Sequence, residues 1–227
     1  MMNGAMMDGA AMSAIWVVKL GGSLWNGPAL RPWLAALAAE RARHIVIVPG
    51  GGPFADAVRD AQPVLGYGAS AAHRMAILGM EQYGLALLDL EPRLRPSRTM
   101  ADLADADGTA VWLPATLSAD ADVEESWDVT SDTLAAWLAE RLGAERLVLV
   151  KSALLPPGTA DARALARAGI IDPVLPGRME RLSAEVRCIG RDDLPLFIAE
   201  LRGGPAAGTR LWVEREREAA WPGTFFS

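Results

Sequence analysis

The sequence predicts an α/β fold, a three-layer α-β-α sandwich whose open, mostly parallel sheet is covered by helices on both faces. Three observations carry this prediction. Short β-branched runs alternate with longer amphipathic stretches, glycine-rich turns follow the first two runs, and 51% of the 227 residues are hydrophobic. Alternating strands and helices build parallel sheets, and a chain of this length can bury one large core. We therefore expect a single domain.

The elements are predicted in order along the chain. Residues 15–20 and 45–48 are expected to form buried strands and residues 28–43 an amphipathic helix, so the chain begins with a βαβ unit. The later predictions are a helix from about Phe54, a helix over 69–88, a strand over 110–113, a helix over 132–142, and strands over 147–150, 186–189 and 209–213, the last as an edge strand. Segments 91–106 and 156–177 contain prolines and are predicted to be loops.

Composition excludes several classes of partner. The formal net charge is −6 and no run of five or six like charges occurs, which argues against nucleic acid and membrane surfaces as partners. Cys188 is the one cysteine, so we expect no internal disulfide, no metal held by protein side chains, and a cytoplasmic protein. Residues 1–14 have no secretory pattern and are predicted to be a disordered leader before a domain over 15–227. No stretch reaches the roughly eighteen apolar residues of a spanning helix.

Two glycine-rich turns mark the edge of the sheet where ligands are expected. The first strand ends in Lys19-Leu20-Gly21-Gly22-Ser23 and the second in Pro49-Gly50-Gly51-Gly52-Pro53. Because glycine has no β-carbon, backbone N–H groups in such turns can approach phosphate oxygens, and the helix that follows adds partial positive charge. Two such turns at the carboxyl ends of parallel strands suit the donor and the acceptor of a phosphoryl group.

Only two of the 22 basic residues are lysines, Lys19 and Lys151, and both stand at predicted strand ends. A flexible point charge suits a migrating phosphoryl group, because catalysis of its transfer is mostly positioning and charge neutralisation. No histidine or cysteine lies in these motifs. We therefore expect a mechanism based on electrostatics and alignment rather than a proton relay.

Thr130, Ser131 and Asp132 stand at the predicted start of the helix over 132–142. One interpretation is a helix cap with an acidic first turn. The other is a site in which the carboxylate holds the lysines, and the two interpretations are compatible. At the far end of the helix, Gly143 is predicted to adopt the left-handed conformation that terminates helices.

Three motifs together resemble the amino acid kinase superfamily over roughly residues 15–200: Lys-x-Gly-Gly-Ser, Pro-Gly-Gly-Gly, and Ser-Asp-x-Leu-Ala-Ala before a strand. The resemblance implies an acceptor-binding half over about 15–125 and an ATP-binding half over about 126–213. It also implies ATP with Mg²⁺ as the phosphoryl donor, a small anionic acceptor, and a homodimer or larger homo-oligomer.

The resemblance, with the residue patterns above, assigns a role to each motif residue. Lys19 would contact the transferred phosphoryl group and Asp132 would orient the lysines. The catalytic candidates are Lys19, Asp132 and Lys151; the nucleotide-side candidates are Lys19, Gly21, Gly22, Ser23, Lys151 and Ser152; the acceptor-side candidates are Gly50, Gly51, Gly52, Arg59, Asp128, Thr130 and Ser131.

Within the superfamily, segments 72–84 and 127–132 resemble most the kinases of methanofuran biosynthesis, which implies aminomethylfuran methyl phosphate as the acceptor. Other acceptors stay open, among them acetylglutamate, aspartate, uridylate, carbamate and isopentenyl phosphate. A non-catalytic protein that binds nucleotide or oxyanions stays open too as an interpretation, because a fold does not fix a function.

The sequence departs from the superfamily pattern in two places. Segment 151–158 replaces the Asp-Val-Asp-Gly-Val-Tyr loop of the superfamily, and no lysine follows Lys151. The leaving phosphate would therefore be stabilised by Lys151 or by a rim residue such as Arg163, Arg178 or Arg181.

Five further residues have two interpretations each. His73 lies on an apolar helix face and is expected to be a packed or interface residue rather than a catalyst. Arg59 and Arg74 are either contacts for an acceptor phosphate or solvated surface residues. Trp25 and Trp127 flank the predicted site and either stack on a ligand or pack in the core.

Overall fold

A computed structural model of the protein describes residues 14–105, 107–156 and 158–214. The strands within these ranges are β1 (Ile15–Leu20), β2 (His44–Pro49), β3 (Arg95–Ser97), β4 (Ala110–Trp112), β5 (Arg146–Lys151), β6 (Thr159–Asp161), β7 (Glu185–Gly190) and β8 (Thr209–Trp212). The α-helices are α1 (Leu30–Ala39), α2 (Gly52–Leu65), α3 (Ala69–Leu90), α4 (Met100–Ala104), α5 (Ser131–Leu142), α6 (Ala162–Arg167), α7 (Leu175–Met179) and α8 (Leu194–Leu201). The predicted disordered leader lies outside the described residues, apart from Ala14.

The strands form one eight-stranded sheet in the order β3-β4-β2-β1-β5-β7-β8-β6. Every neighbouring pair is parallel except β7 with β8. The open, mostly parallel sheet predicted from the sequence is therefore confirmed. The prediction of an edge strand over 209–213 is wrong, because β8 pairs with β7 on one side and with β6 on the other, and β6 occupies the edge.

The two faces of the sheet bury separate hydrophobic cores. Side chains alternate along β1, so Val17 packs with Leu134 of α5 on one face. Val18 packs on the other face with Trp33 of α1 and Phe197 of α8. Helix α3 contributes to both cores, with Ile77 in the first and Leu87 in the second. Helices on both faces confirm the predicted three layers.

The structure corrects the two predicted loops and adds a helix. Segment 91–106 contains β3 and α4, segment 156–177 contains β6, α6 and the start of α7, and α8 was not predicted. Most of these elements are three to six residues long, which is too short for a hydrophobic period to show. Helix α4 did carry a local signal. Thr99 and Asp102 form a capping box in which each side chain accepts the backbone N–H of the other at 3.1 Å.

The long helices and central strands were predicted to within a few residues, and Gly143 terminates α5 with φ of 60° in the left-handed region. In the described part of the chain, no helix combines the length and apolar character that crossing a membrane requires.

Candidate active site

The register of the central strands brings the two lysines to one face of the sheet. Strands β1 and β5 are parallel neighbours in which Lys19 pairs with Leu149, so Lys151 lies two residues further along β5. Alternation puts Lys19 on the face of Val17 and Lys151 on the face of Leu149. Val17 and Leu149 belong to the core that includes α5. Both lysines therefore project toward that helix.

Asp132 meets both lysines from the first turn of α5. Its Oδ1 lies 2.8 Å from Nζ of Lys19, and its Oδ2 accepts a hydrogen bond from Nζ of Lys151. The Asp132 residue is only 1% exposed, and both lysine side chains are largely buried. Two positive charges and one negative charge leave this cluster with a surplus positive charge, which suits a phosphate-binding site.

Burial and neighbouring charges shift the pKa values of Asp132 and Lys151 in this cluster. Burial alone would raise the pKa of the Asp132 carboxyl, but the charges and hydrogen bonds of Lys19 and Lys151 outweigh it and hold the pKa at about 2. Burial lowers the pKa of the Lys151 ammonium, and the Lys19 charge lowers it further, against the opposing effect of Asp132. Asp132 is therefore ionised at neutral pH and acts as a counter-ion, not as a proton acceptor.

The buried thiol of Cys188 on β7 takes no part in this charge balance. Burial raises its pKa to about 12, so it stays a neutral thiol at physiological pH.

The two glycine-rich turns cross in direct backbone contact. A β-carbon on Gly22 would lie 2.5 Å from the backbone nitrogen of Gly52, and one on Gly50 would lie 2.3 Å from the backbone nitrogen of Gly22. Gly52 also has φ of 54°, a conformation that favours glycine. The packing of the turns therefore demands glycine at these positions before any ligand is considered.

A cavity of about 290 Å³ opens beside this crossing, close to the lower limit for small-molecule sites. Several sequence-predicted site residues line it: Lys19, Gly22, Ser23, Gly51, Gly52, Arg59, Thr130 and Ser131. Trp25 and Trp127, which were weaker candidates, line it as well. The structure thus brings the two glycine turns, the first lysine and the start of α5 to one cavity.

The mouth of the cavity carries a polar and aromatic group of residues. The indole N–H of Trp127 donates a hydrogen bond to Oε1 of Gln62 at 2.6 Å, and the guanidinium of Arg59 stacks 4.4 Å from the Trp127 ring centre. Asp56 lies 3.7 Å from Arg59, and both side chains are more than half exposed. The mouth therefore offers a cation, a carboxylate and an aromatic face to a ligand.

The remaining predicted residues lie outside the cavity lining. Gly21 donates its N–H to the carbonyl of Val150 at 3.3 Å, and the Ser152 hydroxyl accepts a hydrogen bond at 3.1 Å from that of Ser23, which does line the cavity. With Lys151 they stand where β1 and β5 end. Gly50 is enclosed by the crossing of the two turns. Asp128 lies outside the cavity lining and donates its backbone N–H to the hydroxyl of Ser126 at 3.3 Å.

The structure also gives the surroundings of the residues that had two interpretations. His73 is buried, lies 3.3 Å through Nδ1 from the carbonyl of Ser126, and also lines the cavity. Arg74 pairs at the surface with Glu125. Among the rim arginines, Arg178 is buried in ion pairs with Asp122 and Glu140 at 3.0 and 2.8 Å. Its guanidinium is thus already engaged.

Sequence reasoning missed two acidic residues. Asp56 had a usable signal, because it precedes Arg59 by three positions and so shares its helix face. Asp172 had none, since its partners in α5 are about forty residues away in the chain. No spacing rule connects residues that only the fold brings together.

The chain belongs to the amino acid kinase family, whose family model matches residues 14–153. The resemblance drawn from the motifs is thereby confirmed. The solved structure of uridylate kinase from Archaeoglobus fulgidus has the same fold, with a TM-score of 0.65 and 16% identity over 88% of this chain and 100% of that one. An isopentenyl phosphate kinase in its substrate complex gives a TM-score of 0.57 and 17% identity over 88% of this chain and 100% of that one.

Within the family, the chain is similar to the [5-(aminomethyl)furan-3-yl]methyl phosphate kinase of Methanocaldococcus jannaschii. The two are 31% identical over 138 residues, which are 59% of this chain and 63% of the relative. The match therefore spans somewhat less than two thirds of the relative's length.

Proposed function

We propose that the protein is an ATP-dependent kinase that transfers the γ-phosphoryl group to a small phosphate monoester, and that its acceptor is [5-(aminomethyl)furan-3-yl]methyl phosphate. The observation that carries the proposal is the buried cluster of Lys19, Asp132 and Lys151, with its surplus positive charge, beside two glycine-rich turns. The similarity to the Methanocaldococcus jannaschii enzyme supports this choice of acceptor.

Lys19 and Lys151 would supply fixed positive charge where charge develops on the transferred phosphoryl group. Such preorganised charge is the main source of catalysis in phosphoryl transfer. Asp132 holds both ammonium groups, and with a pKa of about 2 it does not accept a proton near neutral pH. A phosphate monoester is already largely ionised there, because its second pKa is about 6. The reaction therefore needs no general base.

The phosphoryl group would pass directly from ATP to the acceptor, without a covalent enzyme intermediate. An oxygen of the acceptor phosphate forms a bond to the γ-phosphorus, while the bond from that phosphorus to the β,γ-bridging oxygen breaks. The products are ADP and the diphosphate of the acceptor. Lys19 and Lys151 neutralise the attacking and leaving oxygens throughout, which requires neither oxidation nor an additional reactant.

The cavity offers complementary groups for the three parts of the proposed acceptor. Its phosphate would bind the backbone of Gly51 and Gly52 near Lys19, and its furan ring would lie against the indoles of Trp25 and Trp127. Its ammonium group would pair with Asp56, the acidic residue among those that line the cavity. Arg59, Thr130 and Ser131 would complete the acceptor side.

The proposed nucleotide side lies where β1 and β5 end. A β-carbon on Gly21 would lie 2.9 Å from the carbonyl oxygen of Val150, so this turn accepts no side chain at that position. Gly22, Ser23, Lys151 and Ser152 would join it in binding ATP. The acceptor half would be residues 15–125 and the ATP half residues 126–213.

Magnesium would be held mainly by the phosphates of ATP. The described residues include no group of three His, Cys, Asp or Glu side chains placed to ligate a metal. This fits Mg²⁺, which commonly keeps several waters and binds through substrate phosphates. When bound, the ion would neutralise charge on the β- and γ-phosphates.

We also propose a cytoplasmic homodimer or larger homo-oligomer. Val64 and Leu65 at the end of α2 and Leu78 and Leu85 on α3 are large apolar residues that are at least half exposed. Such residues would be covered at a subunit interface. Sedimentation at micromolar concentration measures this, and a monomer would contradict it.

The test is ADP release from Mg·ATP with a panel of acceptors: the furan phosphate, uridylate, isopentenyl phosphate, acetylglutamate and aspartate. We expect turnover on the furan phosphate and a loss of about 10³-fold in Lys19→Ala, since one lost electrostatic contact to a transition state has this effect. The matched control is Arg93→Ala, which removes a surface cation paired with Glu91 and should keep full activity.

Each alternative has its own outcome. A strong preference for another acceptor would reassign the substrate and keep the kinase. ATP binding without turnover on any acceptor would refute the kinase in favour of a nucleotide-binding role. Full activity in Lys19→Ala would show that the charge of Lys19 is not used.

A further inference from the structure

The start of α5 is held by a carboxylate from a distant part of the chain. Asp172 lies between α6 and α7 and is 7% exposed. Its Oδ1 accepts a hydrogen bond from the hydroxyl of Thr130 at 2.6 Å. Its Oδ2 accepts three more, from the backbone N–H of Thr130 at 2.8 Å and from the N–H and hydroxyl of Thr133 at 3.0 and 2.9 Å.

This arrangement replaces the usual local cap. The first N–H groups of a helix have no partner within the helix, and the N-cap side chain normally accepts the N–H three residues on. Thr130 is the N-cap of α5, but its side chain makes no such bond. Asp172 accepts the N–H of Thr133 in its place, so the first turn of α5 is tied to the connection between α6 and α7.

The two anchored residues flank the counter-ion of the active site. Thr130 and Thr133 lie on either side of Asp132, whose carboxylate contacts both lysines. A shift of the first turn by a fraction of an ångström would move that carboxylate relative to Lys19 and Lys151. In preorganised electrostatic sites, a small displacement of a charged group lowers the rate strongly.

We propose that Asp172 is a positioning residue for phosphoryl transfer, which fixes the first turn of α5 so that Asp132 holds the two lysines at the reacting phosphate. Asp172 itself touches neither the lysines nor the cavity. This inference rests on the proposed function for its effect on rate, but its effect on the lysines is independent of any substrate.

The variant Asp172→Asn keeps the size of the side chain and removes one acceptor. The amide NH₂ cannot accept a hydrogen bond, so it must face either the Thr130 hydroxyl or the three donors at Oδ2. Facing the three donors, the NH₂ displaces the first turn. Facing Thr130, it turns that hydroxyl into an acceptor, and the three bonds at the other oxygen lose the charge of the carboxylate and weaken. We expect kcat to fall about tenfold or more with the KM for ATP changed less than about twofold, because the lost interaction acts in the transition state.

A second readout uses the fact that Lys19 and Lys151 are the only lysines in the chain. Protein grown with lysine labelled with ¹³C at Cε gives one resonance for each, and both report directly on Asp132. We expect both resonances and their pH titrations to shift in Asp172→Asn. The matched control is Asp161→Asn, because Asp161 caps α6 by accepting the N–H groups of Arg163 and Ala164 at 3.0 and 3.2 Å. Asp161→Asn should lower the melting temperature but leave kcat and the lysine resonances unchanged.

The outcomes separate the two proposals. Unchanged kcat and unchanged lysine resonances in Asp172→Asn would overturn the positioning role. A wild-type protein that turns over no acceptor would refute the kinase activity, while the lysine resonances would still decide the role of Asp172.

If Asp172→Asn does not fold, Thr133→Val is the substitute variant. It removes a single donor to Oδ2 of Asp172 at a fully buried position outside the cavity lining. It should shift the resonances in the same direction by less, and unshifted resonances would again overturn the role.

Discussion

The acceptor side and the nucleotide side of the site are held together in different ways. On the acceptor side backbone packs against backbone, since a β-carbon on Gly50 would lie 2.3 Å from the backbone of the first glycine turn. On the nucleotide side the contacts are hydrogen bonds of side chains. The Ser23 hydroxyl donates to that of Ser152, and the Thr209 hydroxyl donates to the carbonyl of Pro156.

The difference has a mechanical consequence. Backbone packing cannot change without moving two central strands, whereas an exposed hydrogen bond such as that of Ser23 with Ser152 breaks and re-forms at low cost. The acceptor side is therefore the stiffer side, and the nucleotide side is the one that can adapt to a ligand. Leu154, which is 97% exposed in the segment after Lys151, belongs to the adaptable side.

The largest expected effect tests the stiff side. In Gly50→Ala the new methyl group would lie 2.3 Å from a backbone nitrogen, so the two turns must separate. We expect the free energy of unfolding to fall by about 3 kcal/mol, at the upper end for overpacking because the neighbour is backbone. Acceptor turnover should be lost with it. Urea denaturation followed by circular dichroism measures the first effect, and ADP release the second.

The matched control is Gly177→Ala in α7, where a β-carbon meets no atom within 4 Å and φ is ordinary. This variant should be neutral or slightly more stable, by up to about 1 kcal/mol, because it restricts the unfolded chain. Equal stability of the two variants would contradict the packing role of the glycine crossing.

The same comparison explains which features the sequence could predict. Backbone packing demands a particular residue type, so Gly50 to Gly52 and Gly21 to Gly22 could be recognised from the sequence. Lys19 and Lys151 were recognisable because lysine is rare in this chain and both stand at strand ends. Asp172 could not be found, because an aspartate in a loop has many uses and its partners are remote in sequence. Short elements such as β6 were missed for lack of a period.

A smaller effect is expected at the mouth of the acceptor side. Asp56→Asn removes the carboxylate proposed to pair with the ammonium group of the acceptor. We expect the KM for the furan phosphate to rise about tenfold, the equivalent of about 1.4 kcal/mol, as for one hydrogen bond to a charged group. The KM for ATP should not change. Steady-state kinetics with each substrate varied in turn measures both.

Two controls make this prediction specific to the amino group. Asp60→Asn alters an exposed carboxylate on the same helix outside the cavity lining and should leave the KM unchanged. An acceptor analogue with a methyl group in place of the aminomethyl group should bind wild type and Asp56→Asn equally. An equal rise of KM for the analogue would show that Asp56 acts on something other than the amine.

The smallest effect concerns the nucleotide side at alkaline pH. Burial lowers the pKa of Lys151 from its usual 10.5, and the charge of Lys19 adds to the effect. The proposed mechanism needs this lysine protonated, so activity is fully present below its pKa and is lost as the pH rises through it. We expect kcat/KM, which reports the free enzyme, to decline with a midpoint below 10.5.

In Lys151→Arg the guanidinium stays charged, so the rate near neutral pH should be lower but the alkaline decline should move upward. The amine of the acceptor titrates identically in both proteins, so the difference between the two profiles belongs to Lys151. Identical alkaline limbs would show that the charge of Lys151 is not required for transfer.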